Sequence, residues 1–248
     1  GTAVAALIDG KVTDLRTNLT EDTDIEIVTP EHKEALKVLR HTTAHIMAEA
    51  VKHLFPEAKF KIGPETDNGF FYDFDFRPFT MDDLAALEKE MKSIIKKNPR
   101  IVREEVSREK AIEIFKAKDE PYKLELIDAI PEGDLITIYT QDDFTDLCAG
   151  PPLLNTRLIK GFKLLSSSSA YWRADKNNAN LARIHGTAFF TKEDMEGYLQ
   201  YLEDIKNRDH NKIGREMELF TTVDVIGHGL PLLRPKGAKI VQILQRWI

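Results

Sequence analysis

The single cysteine of this chain lies in the segment FTDLCAGPPLL, residues 144–154. Asp146 lies two residues before Cys148, and a glycine–proline turn follows the thiol. A lone cysteine in this setting is a reactive group, a metal ligand or an inert buried side chain. Other residues must decide whether Cys148 has a chemical role or only packs in the core.

A second reactive pattern is HTTAH, which puts His41 and His45 on one face of a helix. Two imidazoles at this spacing can bind one metal ion or hold one polar ligand, and the same spacing also occurs in surface and capping positions. The pattern is not that of the H-E-x-x-H metalloproteases, because Thr42 replaces their glutamate. The sequence thus supplies a ligand pair without the general base of that enzyme class.

Cys148 is the natural third ligand for this pair, since thiolate and imidazole together suit zinc. The fourth ligand of a C-x-x-x-H pattern is missing, because Pro152 has no ligating side chain. We therefore predict no tightly held structural zinc. A weakly bound, catalytic-type ion on His41, His45 and Cys148 remains open.

The elements that must position these residues alternate between helices and short strands. A helix predicted over 31–54, with a cap at Thr29 and Pro30 at its first position, carries both histidines. Residues 69–76, GFFYDFDF, alternate as a half-buried strand does. The mixture predicts an α+β fold, an antiparallel sheet with helices packed on it, followed by a long linker helix. The other predicted elements are strands within 1–28 and at 59–63, 100–106, 135–140, 144–148, 160–166 and 170–173, and helices at 80–98, 107–117, 192–213 and from 237, with caps at Thr80, Ser107 and Thr191.

Composition limits the classes of protein to consider. The chain has 248 residues, 35 basic and 41 acidic, and its net charge of −6 argues against a dedicated nucleic-acid binder, although a local basic face can coexist with it. One cysteine cannot form an internal disulfide and suits a reducing, cytoplasmic location. No apolar run is long enough for a membrane span, so no membrane partner is expected. Because the chain begins Gly1-Thr2, we expect it to be a trimmed piece of a longer protein.

Several dispersed motifs, in order, resemble bacterial threonyl-tRNA synthetase: RHTTAHIMAEAVKHLFP, IGPETDNGFFYDFDF, DLCAGP, AYWRAD, RIHGTAFF and KNRDHNKIGREMELF. The resemblance implies the end of a ubiquitin-like TGS domain at 1–28 and an editing domain at 29–190, of the type shared with alanyl-tRNA synthetase. It further implies a linker helix at 191–220 and the start of the class II catalytic domain at 221–248.

The resemblance also implies a proofreading function, because an active site that accepts threonine rejects the smaller serine by only ~1–3 kcal/mol. A second site would then hydrolyse seryl-tRNA(Thr), binding the acceptor end of that tRNA. The parent synthetase would use ATP, Mg and Zn in a catalytic domain absent from this chain, and would form a homodimer through that domain. The site residues that the resemblance implies are His41, His45, Cys148, Tyr72, Lys123 and Asp146.

General chemistry suggests roles for four of these side chains. Ester hydrolysis needs a positioned water, a base or metal to activate it, and a stabilised oxyanion. We expect His41 and His45 to orient the water and the terminal ribose of the tRNA. Lys123 is expected to meet the oxyanion, and Asp146 the ammonium of the substrate.

The sequence departs from the family pattern at several positions. Pro152 replaces the CxxxH histidine, Ser169 and Ala174 replace glycines, Ala179 replaces a lysine and His185 a tyrosine. Loss of glycine and of a cation would weaken RNA binding. Three readings follow: an editing hydrolase, an editing-defective tRNA-binding module that supports the ligase, and a metal-binding regulatory or interaction domain.

Overall fold

The computed structural model describes residues 2–171, 180–223, 225–227 and 229–247. Within these ranges, seven α-helices and several antiparallel sheets confirm the predicted α+β class. The chain divides into two compact units, Gly1–Met195 and Glu196–Ile248. This division is coarser than the four predicted segments, whose boundaries stay predictions. None of the described helices is both long and apolar enough to cross a membrane.

The first unit opens with a small antiparallel sheet, as the strand pattern within residues 1–28 predicts. Its tightest turn is at Asp9 and Gly10, whose φ angles of 50° and 77° suit a two-residue hairpin. The sheet order is β2–β1–β3, with β1 at Ala5–Ile8, β2 at Lys11–Thr13 and β3 at Ile25–Val28.

The helix that carries the histidines is α1, Ala35–Leu54. Its apolar residues Leu39, Ile46 and Met47 are fully buried, and the helix contacts a second helix and a five-stranded sheet. The predicted start near residue 31 is wrong by about one turn, because residues 29–34 form turns instead. The backbone N–H of His32 donates to the carbonyl of Thr29 at 2.9 Å.

The five-stranded sheet gives α1 its main packing surface. In β6, Gly69–Asp75, the predicted alternation is confirmed for Phe70, Tyr72 and Phe74, which are all buried. Asp73 on the other face is buried as well, because Arg183 pairs with it at 2.7 Å. The remaining strands are β4 at Lys59–Phe60, β5 at Glu65–Thr66, β10 at Gly161–Tyr171 and β11 at Asn180–Phe189, in the order β10–β11–β6–β4 with β5 beside β6.

A three-stranded sheet and three helices complete the first unit. The predicted caps are confirmed: Thr80 and Asp83 form a capping box, and Ser107 accepts from the backbone N–H of Lys110. The sheet order is β7–β8–β9, with β7 at Ile101–Val106, β8 at Ile136–Gln141 and β9 at Phe144–Leu147, while the helices are α2 at Met81–Lys97, α3 at Arg108–Ala117 and α4 at Pro121–Ala129.

The predicted long helix over 192–213 is corrected to two helices. The first, α5, ends at Asn207, and Asp209 caps the next by accepting from the backbone N–H groups of Asn211 and Lys212. A good N-cap residue inside the segment therefore divides it. These later elements are α5 at Lys192–Asn207, α6 at His210–Glu216, β12 at Phe220–Thr222, β13 at Pro231–Leu233 and α7 at Pro235–Trp247.

Among the described residues of the first unit, the helix α4 and the strands β5 and β11 have no counterpart among the elements predicted from the sequence. The strands predicted at 160–166 and 170–173 belong, as far as residue 171, to the single strand β10, while residues 172 and 173 lie outside the described residues. Arg183 and His185 both lie on β11, so the missed strand carries one departure from the family pattern.

Candidate active site

The structure brings the three sequence-predicted ligand residues into one contact group. The Nε2 atom of His41 lies 2.8 Å from Sγ of Cys148 and 3.2 Å from Nε2 of His45. Helix α1 supplies both imidazoles one turn apart, and the segment after β9 supplies the thiol. Residues separated by more than a hundred positions thus meet as a side-chain cluster.

The outer nitrogen of each imidazole faces a carboxylate. Nδ1 of His41 lies 3.3 Å from Glu65, and Nδ1 of His45 lies 3.2 Å from Asp146. These contacts are satisfied when both Nδ1 atoms carry protons. The Nε2 atoms are then the ones that face Cys148 and each other, which is the arrangement a hydrolytic or metal-binding site requires.

The turn after Cys148 is built to hold the sulfur. The backbone N–H of Gly150 donates to Sγ at 3.1 Å, so the sulfur has hydrogen-bond contacts from two directions. Gly150 has a φ of +70°, and a Cβ there would come within 2.2 Å of the Tyr139 hydroxyl. Glycine is therefore required at this position both for backbone conformation and for space.

Behind the histidines lies a buried ionic network. Lys123 and Asp146 form an ion pair in which each side chain is only 3% exposed. The Tyr72 hydroxyl donates to Asp146 at 2.7 Å and accepts from Lys123 Nζ at 2.9 Å. Lys123 also donates to the carbonyl of Lys61 at 2.7 Å. Within the protein Lys123 has three acceptors, so its predicted role at an oxyanion requires it to exchange one of them.

The charges of this group perturb one another. Burial alone would raise the pKa of the Cys148 thiol, but the neighbouring His41 and His45 lower it below its usual range. Burial would lower the pKa of His41, but the Cys148 thiolate and Glu65 raise it. Burial likewise disfavours ionised Asp146, and the Lys123 ammonium and His45 outweigh it and lower that pKa. The cluster therefore favours a thiolate beside an imidazolium.

The donor set of this cluster also fits a zinc ion. One ligand atom each from His41, His45 and Cys148 lies within 4.8 Å of the others, and two imidazoles with a thiolate are ligands that zinc accepts. These three ligands are present even though Pro152 cannot supply a fourth. The set thus matches the three-ligand type that leaves a coordination position open.

These side chains line an open cleft of about 630 Å³. His41, His45, Cys148, Lys123 and Asp146 all border it, whereas Tyr72 lies behind it. The cleft border ends at Pro151, and Pro152 is buried next to Leu153, whose backbone N–H donates to Thr42 at 2.8 Å.

The other departures lie away from this cleft or outside the described residues. Ser169 is on β10, and His185 on β11 contacts the Ser168 hydroxyl at 3.2 Å. Ala174 and Ala179 lie outside the described residues.

Sequence reasoning missed Glu65 and Gly150, which contact the two ends of the His41–Cys148 pair. Glu65 lies on a two-residue strand with no periodic pattern, so no local signal marks it. The glycine between Cys148 and the two prolines is visible in the sequence, but its contact with the sulfur depends on the turn.

The class of domain is indicated by a family model described as "Threonyl and Alanyl tRNA synthetase second additional domain", which matches residues 136–185. That segment runs from β8 through Cys148 to His185. It therefore includes the cysteine of the cleft but not helix α1, which carries His41 and His45.

Among whole proteins, the chain is similar to threonine–tRNA ligases. Those of Clostridium perfringens (strain 13 / Type A), Geobacillus kaustophilus and Staphylococcus epidermidis are 53%, 52% and 51% identical to it over 247 residues. Each match covers 99% of this chain and 38% of the relative. The chain therefore spans well under half the length of the curated relatives it matches.

Proposed function

We propose that this chain is the editing region of a threonyl-tRNA synthetase and that its cleft hydrolyses the ester of seryl-tRNA(Thr). The observation that carries the proposal is the contact of His41 with both Cys148 and His45 at an open cleft. The similarity to threonine–tRNA ligases supplies the substrate class.

In this proposal the histidines and the thiolate position the water that attacks the ester carbonyl. The water donates one hydrogen bond to Cys148 or to a neutral imidazole nitrogen, which accepts its proton as the tetrahedral intermediate forms. Protonated His41 then donates to the leaving ribose oxygen. When bound, a zinc ion on His41, His45 and Cys148 would lower the pKa of a bound water.

Asp146 acts in this scheme through His45, whose Nδ1 proton it holds. This contact fixes the tautomer in which Nε2 faces the cleft. Asp146 has partners on both oxygens inside the protein, so the proposal that it binds the substrate ammonium requires one of them to be displaced.

The remaining assignments belong to the parent protein. We propose that it joins threonine to tRNA(Thr) with ATP in a catalytic domain outside this chain, where Mg and Zn would act, and that it is a cytoplasmic homodimer. The chain itself would contact the acceptor end of the tRNA.

The test is deacylation of purified seryl-tRNA(Thr) by the full chain. We expect hydrolysis above background that falls by ~10²–10⁴-fold in His41→Ala. Replacement of the exposed His210 on α6 by alanine is a matched control that should leave the rate unchanged. Equal rates for His41→Ala and the unaltered chain would contradict the proposal.

The second candidate is a tRNA-binding module without turnover, and Pro152 in place of the family histidine favours it. Leu153, beside Pro152, is bonded to α1 next to His41, so an imidazole at position 152 would start from a backbone held beside the cleft.

If only that imidazole is missing, Pro152→His should raise hydrolysis by ~10²–10⁴-fold. It should have no effect when His41 is also replaced, because the two groups would act as a unit. Background rates in both proteins, with unchanged binding of a non-hydrolysable seryl-adenosine mimic, would instead favour the binding module.

A further inference from the structure

Helix α1 carries a second group of ligand-type side chains beyond the histidine pair. Glu49 and His53 continue the four-residue spacing of His41 and His45 along the helix. Asp143 approaches them from the turn between β8 and β9. One ligand atom from each of Glu49, His53 and Asp143 lies within 4.8 Å of the other two.

The distances in this group are close to those of a coordination sphere. Nε2 of His53 lies 3.3 Å from Oδ1 of Asp143 and 3.9 Å from Oε1 of Glu49. Nitrogen and oxygen ligands about 2.0–2.2 Å from a tetrahedral zinc lie roughly 3.3–3.5 Å apart. The His53–Asp143 distance already matches this value, and side-chain adjustments of up to about 1 Å would bring Glu49 to the same ion.

Glu49 provides an independent indication of a ligand. It is 1% exposed, and its Oε2 accepts from the Gln141 amide at 2.7 Å. Its other oxygen, Oε1, has no hydrogen-bond partner among the described residues. Leaving a buried carboxylate oxygen without a donor is costly, and a cation beside it removes that cost.

The surroundings orient His53 as a metal ligand. Nδ1 of His53 lies 2.7 Å from Glu90 on α2, so a carboxylate holds the far side of the ring while Nε2 faces the cluster. This is the outer arrangement that metal-bound histidines commonly have. Lys52 lies 3.6 Å from Oδ2 of Asp143, which leaves Oδ1 as the oxygen that faces His53.

We propose that Glu49, His53 and Asp143 form a zinc-binding site separate from the His41, His45 and Cys148 cluster, with water completing the coordination. The 63% exposure of the Asp143 side chain gives the ion a route from solvent. The ion would tie the β8–β9 turn to α1, and β9 carries Asp146 and is followed directly by Cys148. It would thereby hold the segment that carries Cys148 against the helix that carries His41 and His45.

The experiment measures zinc binding to metal-free full chain carrying Cys148→Ala, which removes the thiolate of the other cluster. Competition with a chromophoric chelator gives the affinity and stoichiometry. We expect the addition of His53→Gln to lower the zinc affinity of this site by at least ~10-fold, since loss of even an outer partner costs ~10–100-fold. His210→Gln, an exposed substitution on α6, should leave zinc binding unchanged.

A second variant protects the test against misfolding. Asp143→Asn changes an exposed side chain in a turn, so the chain should keep its far-UV circular dichroism while losing zinc affinity as His53→Gln does. The opposing account is an ion-pair network in which protonated His53 bridges Glu90 and Asp143 without metal. No zinc uptake by Cys148→Ala, or equal affinities with and without His53→Gln and Asp143→Asn, would overturn the proposal.

Discussion

The buried pair of Lys123 and Asp146 should dominate the response of this unit to mutation. In Asp146→Asn, the Lys123 side chain, only 3% exposed, loses the carboxylate with which it is paired. The amide offers one acceptor oxygen where the carboxylate offers two, so either Lys123 or the Tyr72–His45 side loses its acceptor. Removing one partner of a buried ion pair typically costs 3–5 kcal/mol, against a total stability of roughly 5–15 kcal/mol.

The measurement is urea-induced unfolding followed by far-UV circular dichroism. Asp134→Asn, an exposed carboxylate on the same chain, is the matched control and should change the free energy of unfolding by less than ~0.5 kcal/mol. A double variant, Asp146→Leu with Lys123→Met, removes both charges and should recover most of the loss, because no buried charge is left alone. The reasoning is refuted if Asp146→Asn costs less than ~1 kcal/mol, or if the double variant is no more stable than the single one.

Three further outcomes are expected. Burial raises the pKa of Glu120 to about 7. The unfolded chain therefore loses this proton at a lower pH than the folded chain, and the free energy of unfolding falls as the pH rises from about 4 to 7. Glu120→Gln should raise the free energy of unfolding by roughly 1–3 kcal/mol at pH 8 but change it little at pH 4. A benefit equal at both pH values in urea unfolding would contradict this assignment. Thr80→Ala removes the capping box of α2 and should cost ~1 kcal/mol in the same assay, while Thr20→Ala, at an exposed loop position, is the control and should change the free energy of unfolding by less than ~0.5 kcal/mol. Gly150→Ala forces a Cβ toward Tyr139 and disturbs the N–H contact with Cys148, so it should raise the thiol pKa measured by alkylation rate against pH; an unchanged profile counts against that contact.

Local patterns predicted much of the fold because local chemistry decides those features. The caps at Thr80 and Ser107, the alternation in β6 and the Asp9–Gly10 turn each follow from side chains within a few residues. Helix α4 was missed because its short run beginning at Pro121 has hardly any amphipathic pattern, and its buried Lys123 reads as a solvated residue in isolation. The burial of Lys123 is explained by partners distant in sequence, namely the carboxylate of Asp146, the hydroxyl of Tyr72 and the carbonyl of Lys61.

The candidate site also has a part that local sequence could predict and a part that only the tertiary structure determines. The i, i+4 spacing of His41 and His45 follows from helix geometry, whereas their contact with Cys148 depends on the packing of the β8–β9 hairpin against α1. Spacing paired the two histidines, the ligand chemistry of zinc added Cys148, and the resemblance added Tyr72, Lys123 and Asp146. The sequence offers no signal that Glu65 completes the far side of His41, since its short strand is defined by pairing with β6.

The contacts that hold the cleft together do not depend on an imidazole at position 152. Lys123, Asp146 and Tyr72 satisfy one another, Gly150 holds the sulfur, and Leu153 anchors the loop to Thr42. Two variants test the scaffold and the chemistry. Asp146→Asn should lower stability and also release the Nδ1 proton of His45, so it should change activity by both routes. Pro152→His should change the rate of hydrolysis at a stability cost of roughly 1–3 kcal/mol, because the buried position gives an imidazole no assured hydrogen-bond partner. In the proposed mechanism, the lack of an imidazole at position 152 would lower turnover without removing any of these contacts, so the cleft can persist when its activity is lost.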